Sequence, residues 1–468
     1  MRLERFIFLV AAACALRGAS VEDTLALARK ALANEGVATA WKLSQKAVGE
    51  APESAAAHEL SGEVLFRRGE FASAESEFKL ASRLDPNFAR AWWGLARIAE
   101  CTSMYKTAVM CLNRAHSIDP NDARIFHDWA MQLPGQEHID ALEKYAVMAD
   151  PSRNEKQLED LRQHIQFDKA IKGRSLTVLA SRYEKTEIPL LNLVNGAPQT
   201  LRYGLVVSVG ATKLRLVLDT GASGILIPRW AAGRAGVAEL SGASFGGFGD
   251  NPKPSAGYRG VVDRVRIGDV EFRDALINVS NQDSVGPADG LIGTNVFAQF
   301  LVSLDFTAGK LRLDQLPGYH PGDNELHDRV AVEQPAHSAR VFRFGHLLLV
   351  PARVSDSREV LFVVDTGADR TLISYDMAAE VSNVNRDAGM HMQGISGQVA
   401  DLYKTGNVYL QFAGFRQKSP GMTAVDMWPQ SRNVGTEVSG FLGLPVLSLF
   451  TLTIDYRDGV VNFDRKEP

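Results

Sequence analysis

The sequence predicts a multidomain chain, with an all-α repeat solenoid followed by an all-β unit of two barrel-like lobes. Three observations carry this. Prolines recur at a fixed interval in the first third of the chain. The composition changes near residue 188, from Ala, Leu, Glu, Lys and Arg to β-branched residues and glycine. An Asp-Thr-Gly-Ala turn occurs twice, at Asp219 and again 146 residues later at Asp365.

The bulk properties fit such a chain. At 468 residues it is too long for a single core. A composition of 45% apolar and 23% charged residues is that of a globular protein. A formal net charge of −4 leaves no electrostatic footprint for nucleic acid. Apart from the N-terminus, the chain has no feature of a membrane segment, and no apolar run reaches the roughly 18 residues of a spanning helix.

At the N-terminus, MRLER supplies two arginines, FIFLVAAACAL an apolar run, and RGAS a small-residue end. This is the layout of an export signal over 1–20, with cleavage near Ser20. AAAC is a poor match to a bacterial lipobox, so lipid anchoring through Cys14 is a second option for the exported (periplasmic or secreted) chain. Cys101 and Cys111 lie outside any metal-ligand pattern and are read either as a pair across a helical hairpin or as two buried thiols.

Residues 21–170 read as helical. Pro52, Pro86 and Pro120 are each 34 apart, and Pro151 follows at 31. Within that frame Gly62, Ala74, Phe78, Ala81 and Pro86 supply a small, a small, an aromatic, a small and a proline position. Trp92, Leu95, Ala96, Ala108, Leu112, Ala115 and Pro120 repeat the scheme. The pattern resembles tetratricopeptide repeats over about 130 residues. That resemblance implies stacked helix pairs whose concave side docks a protein partner or substrate, or else a plain spacer. NEKQLEDLRQHIQFDKAIKG reads as a closing helix ending near Gly173, with 171–187 as a linker.

From about Ile188 onward, short β-branched runs alternate apolar positions, as at Leu214, Leu216 and Leu218. The chain then repeats itself. VLDTGASGILIP, the glycine-rich SFGGFG at Ser244–Gly249, DGLIGTNVF and SLDFTAGKLRL make the first copy. VVDTGADRTLIS, MQGISG at Met392–Gly397, SGFLGLPVL and TIDYRDGVVNF make the second. Gly290 to Gly440 and Asp305 to Asp455 are each 150 residues apart. The copies define lobes at 188–320 and 339–468, joined by a linker at 321–338.

Each copy resembles a protomer of the retropepsin-like, retroviral-type aspartic proteases, and the pair resembles a fused dimer. Asp-Thr-Gly-Ala, the glycine-rich flap and an apolar-apolar-Gly element (Leu291-Ile292-Gly293 and Phe441-Leu442-Gly443) match in order, twice. Ile292-Gly293-Thr294-Asn295 is especially close to the retroviral pattern. The resemblance implies an aspartic endopeptidase, a hydrolase acting on peptide or protein substrates. Its catalytic pair would be Asp219 and Asp365, its nucleophile water, and it would need no cofactor or metal. Two adjacent carboxylates cannot both ionise easily, so one serves as base and the other as acid. Gly221 and Gly367 let the backbone approach the carboxylates, and Thr220 and Thr366 would lock the two loops together. Gly246, Gly247, Gly394 and Gly397 would let the flap tips close.

With both lobes on one chain, the active site needs no homodimer. Ala222 and Ala368 stand where pepsin-like enzymes tend to carry a hydroxyl, which predicts a less acidic optimum. The alternative is a peptide-binding or scaffold protein that retains the fold without turnover. Gly242-Ala-Ser244-Phe-Gly246 formally matches a serine-hydrolase elbow, but it lies in the flap segment and lacks the strand–turn–helix setting that motif needs. The ten histidines show no metal-binding spacing.

Overall fold

The computed structural model describes residues 20–34, 36–148, 154–181, 185–195, 200–249, 255–283, 288–318, 326–329, 335–387, 389–394 and 396–465. Cys14, the other residues before Ser20 that were read as an export signal, and Pro151 lie outside the described residues. The chain forms two compact units, one of residues 1–99 with 107–129 and one of 100–106 with 130–468.

The first unit is built of consecutive helix–turn–helix pairs. These are α1 (Val21–Ala33) with α2 (Val37–Glu50), α3 (Ala55–Arg67) with α4 (Phe71–Leu84), and α5 (Ala89–Cys101) with α6 (Tyr105–Ile118), followed by α7 (Ala123–Ala130). The stack is consistent with tetratricopeptide-like repeats. Pro52, Pro86 and Pro120 each sit two residues past the end of α2, α4 and α6, where a missing N–H ends the helix. The small positions have a steric cause. A Cβ on Gly62 would lie 2.7 Å from the Phe78 ring, and one on Gly94 would lie 2.4 Å from it. Phe78 is therefore held between glycines of successive repeats.

The period also appears in the polar contacts. Arg97 reaches Glu63 at 2.5 Å, Arg90 reaches Asp122 at 2.8 Å, and the Trp93 indole N–H donates to Asp128 at 2.7 Å. Each bond joins residues roughly one repeat apart. Burial opposes ionisation of Glu63, but the Arg97 and Arg67 guanidiniums outweigh it and lower its pKa. Cys101 and Cys111 are both buried and held as thiols, the second of the two sequence readings.

The second unit begins with α8 (Gly135–Val147) and α9 (Glu155–Ile171) and continues into β-structure. The closing helix is the one expected, capped at its start by Asn154, whose side chain accepts from the Gln157 N–H while Gln157 bonds back. Two sheets then repeat one order of strands. In the first lobe the run is 225–228, 291–293, 212–219, 200–209, 255–267; in the second it is 372–374, 440–442, 360–364, 347–354, 407–412. Some strands alternate buried and exposed residues, as in Lys310–Gln315, and so have one core face, whereas the central Val360–Val364 is buried throughout.

A third sheet draws on both copies. The hairpin Phe300–Asp305/Lys310–Gln315 pairs with the hairpin Thr451–Asp455/Val460–Asp464 through Leu301↔Asp455 to Asp305↔Thr451. Strand Lys185–Pro189 closes one edge and Ser338–Arg340 the other. The segments read as linkers thus supply strands to this sheet, because an unpaired sheet edge leaves backbone groups unsatisfied. One apolar core runs through both lobes and this sheet, from Ile188 to Phe463.

Candidate active site

Asp219 ends strand Thr212–Asp219, and Asp365 directly follows strand Val360–Val364, which is buried throughout. Beside each runs a short parallel strand, Leu291–Gly293 with Gly293 opposite Asp219, and Gly440–Leu442 with Leu442 opposite Val364. These are the apolar-apolar-Gly elements. Their apolar residues fill the core, and the glycine leaves space for the Asp-bearing loop. A Cβ on Gly293 would lie 2.3 Å from the Ala222 carbonyl, and one on Gly443 2.2 Å from that of Arg370.

The two loops are tied by four reciprocal bonds. The Thr220 N–H donates to Thr366 Oγ1 at 3.0 Å, and the Thr366 N–H to Thr220 Oγ1 at 2.9 Å. Each hydroxyl then donates to the strand of the other lobe, Thr220 to the Val364 carbonyl at 2.6 Å and Thr366 to that of Leu218 at 3.0 Å. Both threonines are buried, so every polar atom of the tie is used.

That tie brings the two carboxylates together. A Cβ on Gly367 would lie 2.4 Å from Asp219 Cγ, and one on Gly221 3.0 Å from Asp365 Cγ. The glycines are thus required by the opposite carboxylate, not by turn geometry alone. The Gly221 N–H donates to Asp219 Oδ1 at 2.7 Å; the N–H groups of Gly367 and Ala368 donate to Asp365 Oδ1 at 2.9 and 3.0 Å. Burial raises both carboxyl pKa values. Asp365 is pushed well above the ordinary range by burial, then by the Asp219 charge and the hydrogen bond between the two groups. The raised value favours a proton on Asp365 beside Asp219, and the two groups titrate as a coupled pair.

Each loop is also held from outside. Arg202 donates to the Gly367 carbonyl and lies 3.9 Å from the Asp369 carboxylate. The His346 Nε2–H donates to the Gly221 carbonyl at 3.1 Å. Burial lowers the His346 pKa, which keeps the imidazole neutral at this contact. Sequence reasoning missed both residues. The available signal was a basic group on the hairpins preceding the Asp-bearing strands, but nothing in the spacing says that it reaches across.

The two glycine-rich segments read as flaps meet through Gly247, Phe248 and Ser396. Strands Ala238–Phe245 and Ser255–Ile267 form the first flap, and Met392–Gly394 with Gly397–Val399 forms the second. The Gly247 N–H donates to Ser396 Oγ at 3.0 Å, and the Ser396 N–H to the Phe248 carbonyl at 2.9 Å. Gly394 and Gly397 face each other across the second hairpin, and a Cβ on Gly394 would lie 2.0 Å from the Phe248 carbonyl. Gly246 has open space around its Cβ direction. Phe248 packs against the second lobe's Leu372, Leu402, Val425 and Met427, with its ring edge-on to Phe441 at 5.6 Å. Phe248 and Ser396 were not singled out in the sequence. Ser244 of the elbow-like motif lies on the flap strand, so that motif lacks its strand–turn–helix setting.

Away from the cleft, His138, His164 and Asp168 bring three potential ligand atoms within 4.8 Å of one another. Among the described residues no helix is long and apolar enough to cross a membrane.

Residues 205–299 match the gag-polyprotein aspartyl protease family model, and residues 350–446 match a second aspartyl protease model. No curated protein matches the sequence. Among solved structures, the aspartic proteinase of Irpex lacteus is similar at 14% identity and a TM-score of 0.36, over 60% of this chain and 98% of that one. A mutant of the Thermobaculum terrenum O-GlcNAc transferase is similar at 17% identity and a TM-score of 0.25, over 27% of this chain and 25% of that one. The chain thus spans a quarter of the transferase it matches. The β-rich part of this chain is built of two aspartyl protease domains, one in each lobe.

Proposed function

We propose that the chain is an aspartic endopeptidase whose catalytic groups are Asp219 and Asp365. The observation that carries this reading is the hydrogen-bonded carboxylate pair, one member from each lobe, with both pKa values raised. In the singly protonated pair, the ionised carboxylate takes a proton from water as its oxygen attacks the scissile carbonyl. The other carboxyl gives its proton to the carbonyl oxygen, forming a neutral diol. The diol then collapses: one hydroxyl returns its proton to the pair, the amide nitrogen is protonated, and the C–N bond breaks. Acid and base exchange roles within one turnover, which a pair sharing one proton can support.

The flaps supply the second requirement, exclusion of water. Their tips meet through Gly247, Phe248 and Ser396, so substrate entry needs these contacts to open. The helical repeats are assigned to docking of a protein partner or substrate, and the N-terminal 20 residues to export. Cell fractionation with and without those residues tests the latter.

The deciding experiment measures cleavage of a peptide library from pH 3 to 8 by the parent chain, Asp219→Asn and Asp365→Asn. Cleavage that both substitutions abolish supports the proposal. A parent chain that cleaves nothing is the outcome of the peptide-binding alternative, which the closed flaps with Phe248 seated in the second lobe would suit.

A further inference from the structure

Two histidines and an aspartate converge where α8 and α9 pack together. His164 and Asp168 are one turn apart on α9, and His138 comes from the first turn of α8. His138 Nε2 lies 3.2 Å from Asp168 Oδ2, and His164 Nε2 lies 3.4 Å from the same oxygen. Ligands placed tetrahedrally around Zn²⁺ at bonding distance are about 3.3 Å apart. Two of the three separations are close to that edge length, and the third lies within 4.8 Å.

The hydrogen bonding sharpens the point. His138 Nδ1 is 2.8 Å from the Ala130 carbonyl, so Nδ1 carries a proton. Nε2 is left facing Asp168 Oδ2 at 3.2 Å, a contact made either through a second proton on the ring or through a shared cation. An imidazole fixed by Nδ1–H to a backbone carbonyl, with Nε2 directed inward, is also the usual arrangement of a metal-bound histidine. All three side chains are only partly exposed, at 14%, 33% and 13% for His138, His164 and Asp168.

We propose that His138, His164 and Asp168 form a Zn²⁺ site with its fourth position open. Two imidazoles and a carboxylate suit zinc, and three protein ligands leave a place for water or an incoming group. His164 also lines a cavity of about 310 Å³ whose wall includes Ser244 and Gly246 of the first flap. Arg259 on the flap hairpin lies over the Phe167 ring at 5.0 Å and is attracted by Asp168. The site contains neither Asp219 nor Asp365 and does not depend on whether the pair turns over.

The competing arrangement puts a second proton on His138 and holds no metal. Isothermal titration of the tag-free, chelator-stripped full chain with Zn²⁺ at pH 7.5 separates the two. The expected result is one site per chain, weakened about 100-fold or more in His164→Ala and in the isosteric Asp168→Asn, since even second-shell losses cost 10–100-fold. Circular dichroism confirms that each variant is folded. A wild-type chain that takes up no Zn²⁺, or folded variants that bind it as tightly as wild type, overturns the proposal.

Discussion

The two lobes carry the same elements but support them differently. In the first, the flap strands Ala238–Phe245 and Ser255–Ile267 are continuous with the lobe's main sheet, and α9 packs against the flap. In the second, the flap is a separate two-stranded sheet of three residues a side. A hairpin rooted in a sheet moves with it, whereas a short hairpin of its own has few bonds to break. The carboxylates differ too, since Asp365 Oδ1 accepts two backbone N–H groups and Asp219 Oδ1 accepts one. Duplication preserved what the carboxylate pair requires and let the surroundings diverge.

The largest expected effect tests whether the lobes are equal where they meet. Asp219→Asn and Asp365→Asn should each lower kcat/KM by at least about 100-fold, the usual scale for loss of an acid–base group. Full activity in either variant would assign catalysis to one lobe alone. Thr220→Ala and Thr366→Ala should each destabilise the chain by about 1–3 kcal/mol in urea unfolding, because buried partners lose their bonds. The double variant should cost less than the sum, since both threonines belong to one tie. Strict additivity would break that account.

The pH dependence follows from the signs of the shifts. A buried carboxyl with a raised pKa favours its protonated form on folding, so stability falls as pH rises from the ordinary carboxylate value to the raised one. Asp365→Asn should therefore raise the melting temperature at neutral pH and remove most of that decline. For His346 the shift is downward, so stability falls as pH drops from about 6.5 towards the folded value. His346→Gln should flatten the melting temperature over that window, and an unchanged slope would show that the imidazole is not the cause. The activity profile should peak above pH 4, since Ala222 and Ala368 put no hydroxyl beside the carboxylates. A peak well below that value would refute it.

The smallest effect concerns the flaps. Phe248→Ala removes the ring that anchors the first flap's tip in the second lobe. Hydrogen exchange should speed up in both flaps with little change in the core strands. Faster exchange in the second flap alone would show that the first is held by its sheet and α9 rather than by its tip.

Much of this was legible in the sequence because it rests on local rules. A proline two residues past a helix end recurs with the repeat, so a 34-residue period shows in one dimension. Asp-Thr-Gly-Ala and apolar-apolar-Gly are likewise short, and duplication wrote each of them twice. The sequence alone therefore determined the two-part architecture, the paired lobes and the identity of Asp219 and Asp365 as the candidate pair. Only the tertiary structure decided what crosses between segments far apart in the chain. It alone brought Arg202 to Gly367, His346 to Gly221, Phe248 into the second lobe, and His138 to His164 and Asp168. The physical reason is the range of the interaction. A turn or cap is fixed by neighbours in sequence, whereas these contacts exist only after the lobes share a core and the helices have packed.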